Sequence, residues 1–495
     1  MKRIQLGLSA MILSGCAVGP NYHHPQAPHA VRYTTKPMPA STVSAPTDAG
    51  KKQYFRNGQD IPLKWWTVFH SPALNRLVTD SIRGNPDIAA ASASLKIAHE
   101  NTLVQKAAFF PLVTGSYNPM RQLTAGTLSS NVASNAYLYT LSTTSMSISY
   151  MPDVLGLTRR QVESALAQEE SAAFQSEAVY LTLTSNVILA AIQEASIRAQ
   201  IQVTKRSIAL ARELLRTMER QRDLGFVSKE DVAAEATFLA QVEFALPALQ
   251  LQLAQQRHLI ASLRGTLPGN RLSERFYLHD FTLPESLPVK LPSQLVEQRP
   301  DVRAAEAQMH AASAQIGVAI ANRLPNIMLS GTGGLMPVDY ALSSIPLGFP
   351  VLPTGTPFFW MIAGNLMGTL FDAGSLKHQQ GAAEAAYQLA MAQYRRVVLN
   401  AFEEVADALK AIQFDAKALT IATKQEQTAK TSMLIAKRKL ELGRVSHLDV
   451  IHTEQAYQQA LANLAQSQAN RFTDTVVLFQ ALGGGWRDCG PLRLD

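Results

Sequence analysis

Ser446 and Asp449 follow a glycine turn in Leu442-Gly443-Arg444-Val445-Ser446-His447-Leu448-Asp449-Val450. The pattern has a twin 218 positions earlier, Leu224-Gly225-Phe226-Val227-Ser228-Lys229-Glu230-Asp231-Val232. A hydroxyl with a carboxylate three residues on suits the start of a helix. Ser accepts a free backbone N–H there, and the carboxylate reaches back to the cap residue's own N–H. The glycine before them takes the left-handed conformation that ends the preceding helix. The chemistry on offer is that of a tight turn between two helices, made twice. The histidines assemble nothing more. His447 and His452 are five apart and do not share a helix face as two metal ligands would. His23, His24 and His29 lie in a Pro-, Ser-, Thr- and Ala-rich stretch that reads as a solvated tether. The sequence has no phosphate-cradling Gly-rich loop, Cys/His zinc spacing or Gly-x-Ser-x-Gly nucleophile turn. No catalytic residue and no metal ligand is assigned.

Cys16 is the remaining reactive side chain. Lys2-Arg3 is a basic start, Ile4 to Leu13 an apolar run, and Leu13-Ser14-Gly15-Cys16 closes it. Residues 1–15 read as a signal peptide, and small residues just before a cysteine resemble the bacterial lipobox, which makes Cys16 a lipidated first residue. Ala17 follows, with no Asp to suggest retention at the inner membrane. Cys489 is the only other cysteine, so an acylated Cys16 leaves no intrachain disulfide. At 495 residues the chain exceeds one compact core. Its formal charge of +7 falls to +5 without Lys2 and Arg3 and is spread along the chain, so no nucleic-acid partner is assigned. No interior run of 18 apolar residues occurs, which argues against a membrane-spanning helix in the mature chain.

The elements that must position the two turns are themselves duplicated, and internal repeats are read first. Asn85-Pro86-Asp87 opens an Ala-rich helix that closes at Phe110-Pro111; Arg299-Pro300-Asp301 opens another that closes at Leu324-Pro325. Both Pro-to-Pro intervals are 25 residues, and proline at the first turn and just past the end marks helix start and stop. Residues 112–151 and 326–371 are then rich in Gly, Ser, Thr and aromatics and poor in charge. Ser145-Met146-Ser147-Ile148-Ser149-Tyr150 alternates with period two. Ser129-Ser130-Asn131 and the span from Pro337 to Pro357 break the segments into two strands each. After Asp153-Val154-Leu155-Gly156 and Asp372-Ala373-Gly374, helical patterns without proline run to Leu224 and Leu442, each on the order of 100 Å long. Met391, Val398, Val405, Ile412 and Leu419 recur every seven residues beside Tyr387, Tyr394, Ala401 and Ala408, a packing seam. Ile201, Ile208 and Leu215 do the same in the first copy. Return helices run from about Ser228 to Arg264, interrupted at Pro247, and from Ser446 to Leu482. Residues 265–298 read as an irregular connector. The division expected is a tether over 16–64, a first repeat over 65–280, a second over 281–485 and a tail over 486–495.

Four strands cannot close a membrane barrel, since single-chain barrels begin at eight. Open edges cannot face lipid. Several chains must pool their strands, and three would supply twelve, enough for a lumen. A soluble hairpin is the alternative, but so apolar a strand pair is an aggregation hazard in water.

The lipobox with Cys16-Ala17-Val18-Gly19-Pro20-Asn21-Tyr22, the paired Pro-Asp helices and the paired Leu-Gly-x-Val-Ser-x-x-Asp-Val turns together resemble the TolC-like outer membrane factors. The nearest branch is the NodT/OprM lipoproteins, and the resemblance covers the chain from Cys16 onward. It implies a mainly α protein with a membrane β-barrel, in which long helical hairpins form a periplasmic α-barrel and a homotrimer closes a 12-stranded barrel. It implies a lipid-anchored exit duct in the outer membrane of a Gram-negative bacterium, partnered by a periplasmic adaptor and an inner-membrane pump of the resistance-nodulation-division type. The duct would be passive, without a cofactor beyond the lipid on Cys16, and not an enzyme. The same fold also serves ATP-driven exporters of peptide or protein cargo. A coiled-coil adaptor without a barrel should show lipoyl-like β segments, which are not seen. The resemblance makes Gly225, Ser228, Gly443 and Ser446 the adaptor-docking turns. It also places Asp449 in a constricting acidic ring, against the plain reading as a helix cap. His452 stands where the family has a second acidic residue, a departure from a two-tier carboxylate ring.

Overall fold

The computed structural model describes residues 17–26, 32–123, 138–270, 274–289, 292–336, 338–339 and 358–485. The signal peptide, Cys16, His29, Ser129-Ser130-Asn131, most of the Pro337–Pro357 span, Cys489 and the tail lie outside them. Strand β1 (Tyr54–Asn57) is followed by helices α1 (Pro72–Gly84) and α2 (Pro86–Ala107). Strands β2 (Leu112–Leu123) and β3 (Leu138–Tyr150) come next, then helices α3 (Leu157–Asp223) and α4 (Lys229–Leu263). The second half runs β4 (Ser286–Val289), α5 (Pro292–Gln298), α6 (Pro300–Ala321), β5 (Asn326–Leu335), the short β6 (Val338–Asp339), β7 (Phe358–Met367), α7 (Ser375–Glu441) and α8 (His447–Ala481). Element lengths repeat: α2 and α6 have 22 residues each, α3 and α7 have 67, and α4 and α8 have 35.

The two Pro-Asp helices start where proline costs no hydrogen bond, but they are held differently. Asp87 N–H donates to Asn85 Oδ1 at 2.7 Å. In the second copy the buried Arg299 replaces Asn85, donating to Asp301 at 2.7 Å, to Glu404 at 2.7 Å and to the Ala481 carbonyl at 2.8 Å. Pro247 is a correction. It does not interrupt the return helix but lies inside a continuous α4. It is exposed, so the carbonyl left without its usual N–H can turn to water.

The chain forms two compact units, and each draws on both halves of the sequence: residues 17–23, 97–169 and 307–391 in one, and 24–96, 170–306 and 392–485 in the other. In the first, β2, β3, β5 and β7 make an antiparallel sheet in that order, with β6 pairing β3. Small residues let helices close up beneath it: Thr102 Oγ1 donates to the Ala165 carbonyl at 3.2 Å and Ser164 Oγ to that of Ala311 at 3.2 Å.

The second unit is organised around aromatic rings. Trp65 stacks on Phe479 at 5.4 Å, and Phe69 and Phe281 meet Phe472 at 6.5 and 5.7 Å. Two expectations change here. The segment read as a tether is partly built in, because Thr42 and Gln53 are buried and Gln53 Nε2 donates to the Pro284 carbonyl and to Thr475 Oγ1, each at 3.2 Å. The expected irregular connector supplies β4, parallel to β1, and the buried Phe276, Phe281, Leu283 and Leu287. Composition hid both, because short segments rich in proline can still bury isolated large side chains. The heptad seam is buried as expected at Tyr394, Val398, Ala401, Val405, Ala408, Ile412 and Leu419. By average hydropathy, α3 and α4 each hold a stretch apolar enough to cross a bilayer. In α3 that apolarity goes into packing, at Val187, Ile188, Ala191, Ile192 and Ala195.

Candidate functional site

The register of the four long strands sorts their side chains onto two unlike faces. Val113 pairs with Ile148, Gly115 with Met146 and Tyr117 with Thr144. Ile148 pairs with Gly331 and Met146 with Gly333, and these pair with Ile362 and Trp360. Because partners across a ladder share a face, one side carries Val113, Tyr117, Met146, Ile148, Leu329, Phe358, Trp360, Ile362 and Leu366. The other carries Thr114, Ser116, Asn118, Ser145, Ser147, Ser149, Ser330 and Thr332, with Leu112, Met328 and Met361 among them. On it, hydroxyls bond across strands, Ser116 Oγ to Ser145 Oγ at 2.9 Å and Ser147 Oγ to Thr332 Oγ1 at 3.1 Å. The apolar side is open: Trp360 is 69% and Ile362 81% exposed. A sheet with one face richer in hydroxyls and the other richer in large apolar side chains suits a wall between water and lipid. Its outer strands, β2 and β7, are each paired on one side only among the described residues.

At the C-terminal ends of α3 and α7 lie the two turns. Gly225 and Gly443 have φ of +83° and +67°. Each helix closes with a reciprocal pair of bonds: Phe226 N–H to Gln221 O at 2.8 Å with Gly225 N–H to Arg222 O at 2.9 Å, and Arg444 N–H to Lys439 O with Gly443 N–H to Leu440 O, both 2.9 Å. Ser228 and Ser446 then cap α4 and α8, accepting from Asp231 N–H at 3.0 Å and Asp449 N–H at 3.3 Å. The box is complete at the second turn. There Asp449 Oδ2 accepts from both Ser446 N–H, at 2.9 Å, and Ser446 Oγ–H, at 2.8 Å. These bonds hold the Asp449 carboxyl below the usual carboxylate range, the Ser446 hydroxyl contributing most. His452 is exposed one turn on.

Just behind the turns α4 and α8 pack together, with Phe238 and Ile451 buried against Ala211 of α3. Glu235 is fully buried in this contact, and neither carboxyl oxygen has a hydrogen-bond partner. Burial, and then the nearby Glu454 carboxylate, push it up to about 7. Glu454 is itself buried and faces Lys437 at 3.7 Å. His447, the first residue of α8, is held down by burial against the opposing pull of Asp231.

Residues 77–266 and 291–484 match the outer membrane efflux protein family. The chain belongs to that family. Relatives agree along nearly the whole length of this outer membrane efflux protein. The toluene efflux pump outer membrane protein TtgC of Pseudomonas putida is 26% identical over 98% of this chain and 95% of its own. The pyoverdine export outer membrane protein OpmQ of Pseudomonas putida is 27% identical over 92% of this chain and 96% of its own. The solved outer-membrane channel OprN is 26% identical and superposes with a TM-score of 0.81 over 95% of this chain and all of its own. The TolC-like fold and the likeness to the NodT/OprM branch hold, and the chain is an outer-membrane efflux channel.

The structure brings Gly225, Ser228, Asp231 and Gly443, Ser446, Asp449 into two like turns, with His452 beside Asp449 on α8. Sequence reasoning missed the Glu235–Glu454–Lys437 cluster. Its signal was present, since Glu235 interrupts the apolar stripe Val232, Phe238 and Leu239 at helical spacing.

Proposed function

We propose that three copies of this chain pool their strands into one 12-stranded barrel and act as the passive exit duct of a tripartite efflux assembly. The observation that supports this is the two-faced sheet whose outer strands are, among the described residues, each open at one edge. Unpaired strand edges are not tolerated in lipid, and four strands per copy reach a lumen-sized barrel at three copies. The polar face lines the lumen, and the apolar face meets the outer membrane. A lipid on Cys16 anchors each copy. The hairpin turns around Gly225–Ser228 and Gly443–Ser446 form the end that meets a periplasmic adaptor, with an inner-membrane pump of the resistance-nodulation-division type supplying energy and selecting small-molecule cargo. Asp449 Oδ1, left free by the cap, faces the constriction at that end.

Co-purification from gently solubilised membranes tests the partners. An adaptor and a resistance-nodulation-division pump are expected with the channel. Recovery of an ATP-driven exporter instead would overturn the pump assignment. Mass spectrometry of the mature N-terminus tests the anchor, and an unmodified Cys16 or cleavage elsewhere would refute it.

A further inference from the structure

The first described residues are built into the first unit. Val18 N–H donates to the Leu155 carbonyl at 3.2 Å. Arg160, buried, donates to the Val18 carbonyl at 3.0 Å, the Gly19 carbonyl at 3.3 Å and Asn21 Oδ1 at 2.9 Å, while Glu163 accepts its remaining arm at 2.7 Å. Three glycines make the space. A Cβ on Gly156 would fall against the Ala17 backbone, one on Gly19 against Gly317, and one on Gly317 against the Arg160 side chain. Tyr22 stacks on His310 at 4.3 Å. Ala17 is thereby fixed in contact with Gly156.

Leu155 and Leu157 flank Gly156. With Met151, Pro325, Ile327 and Leu366 they line a recess of about 130 Å³. Ile327 and Leu366 are partners across β5 and β7 and belong to the apolar face, so the recess opens onto the surface that meets lipid. Asp153 is the charged residue at this recess, and its carboxylate is already engaged by the Thr158 and Arg159 N–H groups at 2.9 and 3.0 Å and by Arg159 Nε at 2.9 Å. The matching corner of the second half has no such fit. A Cβ on Gly374 would meet only the His378 side chain, and Leu370 and Phe371 stand exposed.

We propose that this recess seats an acyl chain carried by Cys16, an inference that rests on the reading that Cys16 is acylated. One peptide unit, about 3.8 Å between Cα atoms, joins Cys16 to the fixed Ala17. The chain's first methylenes therefore start one residue from Ala17, which touches Gly156 between the lining residues Leu155 and Leu157, within reach of Ile327 and Leu366. The seat sets the height of the sheet against the bilayer and ties the N-terminal segment to the foot of β5 and β7.

The test uses cells fed a fatty-acid analogue with a diazirine near its carboxyl end. The full-length protein is irradiated in its membranes, digested and mapped by mass spectrometry. The mass of the N-terminal peptide reports acylation, and the crosslinks report the seat. Most crosslinks from the acylated Cys16 peptide are expected on residues 151–157 and 325–327. Ile327→Trp, which fills the recess, should lose them while the protein keeps its oligomeric state. An acylated Cys16 whose crosslinks fall only along Phe358 to Ile362 would overturn the seat alone. So would recess peptides carrying only phospholipid masses, which would mean that bilayer lipid fills it. An unacylated Cys16 would overturn both the seat and the lipidation.

Discussion

Asp449 uses one carboxylate oxygen for the cap and leaves the other in solvent, so cap and pore charge are separable by substitution. Asp449→Asn keeps an oxygen that can accept from Ser446 and removes the charge; Asp449→Ala removes both. In planar bilayers, Asp449→Asn should lose cation selectivity and divalent-cation block with its melting temperature nearly unchanged. If Asp449→Ala lowers the melting temperature while both variants keep selectivity and block, the residue is a cap and the constriction lies elsewhere. Glu235 makes the opposite kind of prediction. Its carboxyl is raised from 4.5 to about 7, so folding favours its protonated form. The stability tied to that proton is complete below pH 4.5 and is lost as pH rises through about 7. Glu177, raised by burial to about 7, acts in the same direction. Thermal unfolding should therefore move to lower temperature between pH 5 and 8, and Glu235→Gln should flatten that slope. A slope unchanged by the substitution would show that Glu235 does not titrate there. The caps were legible because Ser and Asp three apart act locally; the buried glutamates were not, because their cost depends on which helix packs over them.

Two hairpins with equal element lengths follow from glycine and proline punctuation, which is why their turns were readable to within a residue. Neither Gly225 nor Gly443 has any atom within 4 Å of where a Cβ would stand, so glycine is needed there for its backbone alone. Gly443→Val should cost on the order of 1–3 kcal/mol from the left-handed strain and weaken adaptor binding. Ser446→Ala should cost about 1 kcal/mol through the lost cap. Denaturation midpoints and adaptor pull-down measure both, and a folded Gly443→Val channel with full adaptor binding would remove the turn from the docking surface. Pro247 shows the limit of punctuation. Proline ends a helix only where the freed carbonyl has nowhere else to go, and on an exposed face water serves. Period-two alternation located β3 and composition the other strands, but which residues share a face needed the register, since one residue of slip exchanges the faces.

Outside the sheet, the isolated chain also exposes large apolar side chains along its helices, among them Phe244, Leu399, Phe414 and Ile421. Together with the edges of β2 and β7 that are unpaired among the described residues, they are surfaces that the proposed trimer would cover. The count of four strands was legible in the sequence because it needs only their number. The aromatic core of the second unit was not, because it joins Trp65, Phe281 and Phe472 across more than 400 positions of chain. Closure by other copies is the central claim, and native mass spectrometry of the protein in mild detergent tests it most directly. The account predicts a single dominant species of three copies, stable until the detergent or heat unfolds it. A folded, stable monomer would contradict both the shared barrel and the duct.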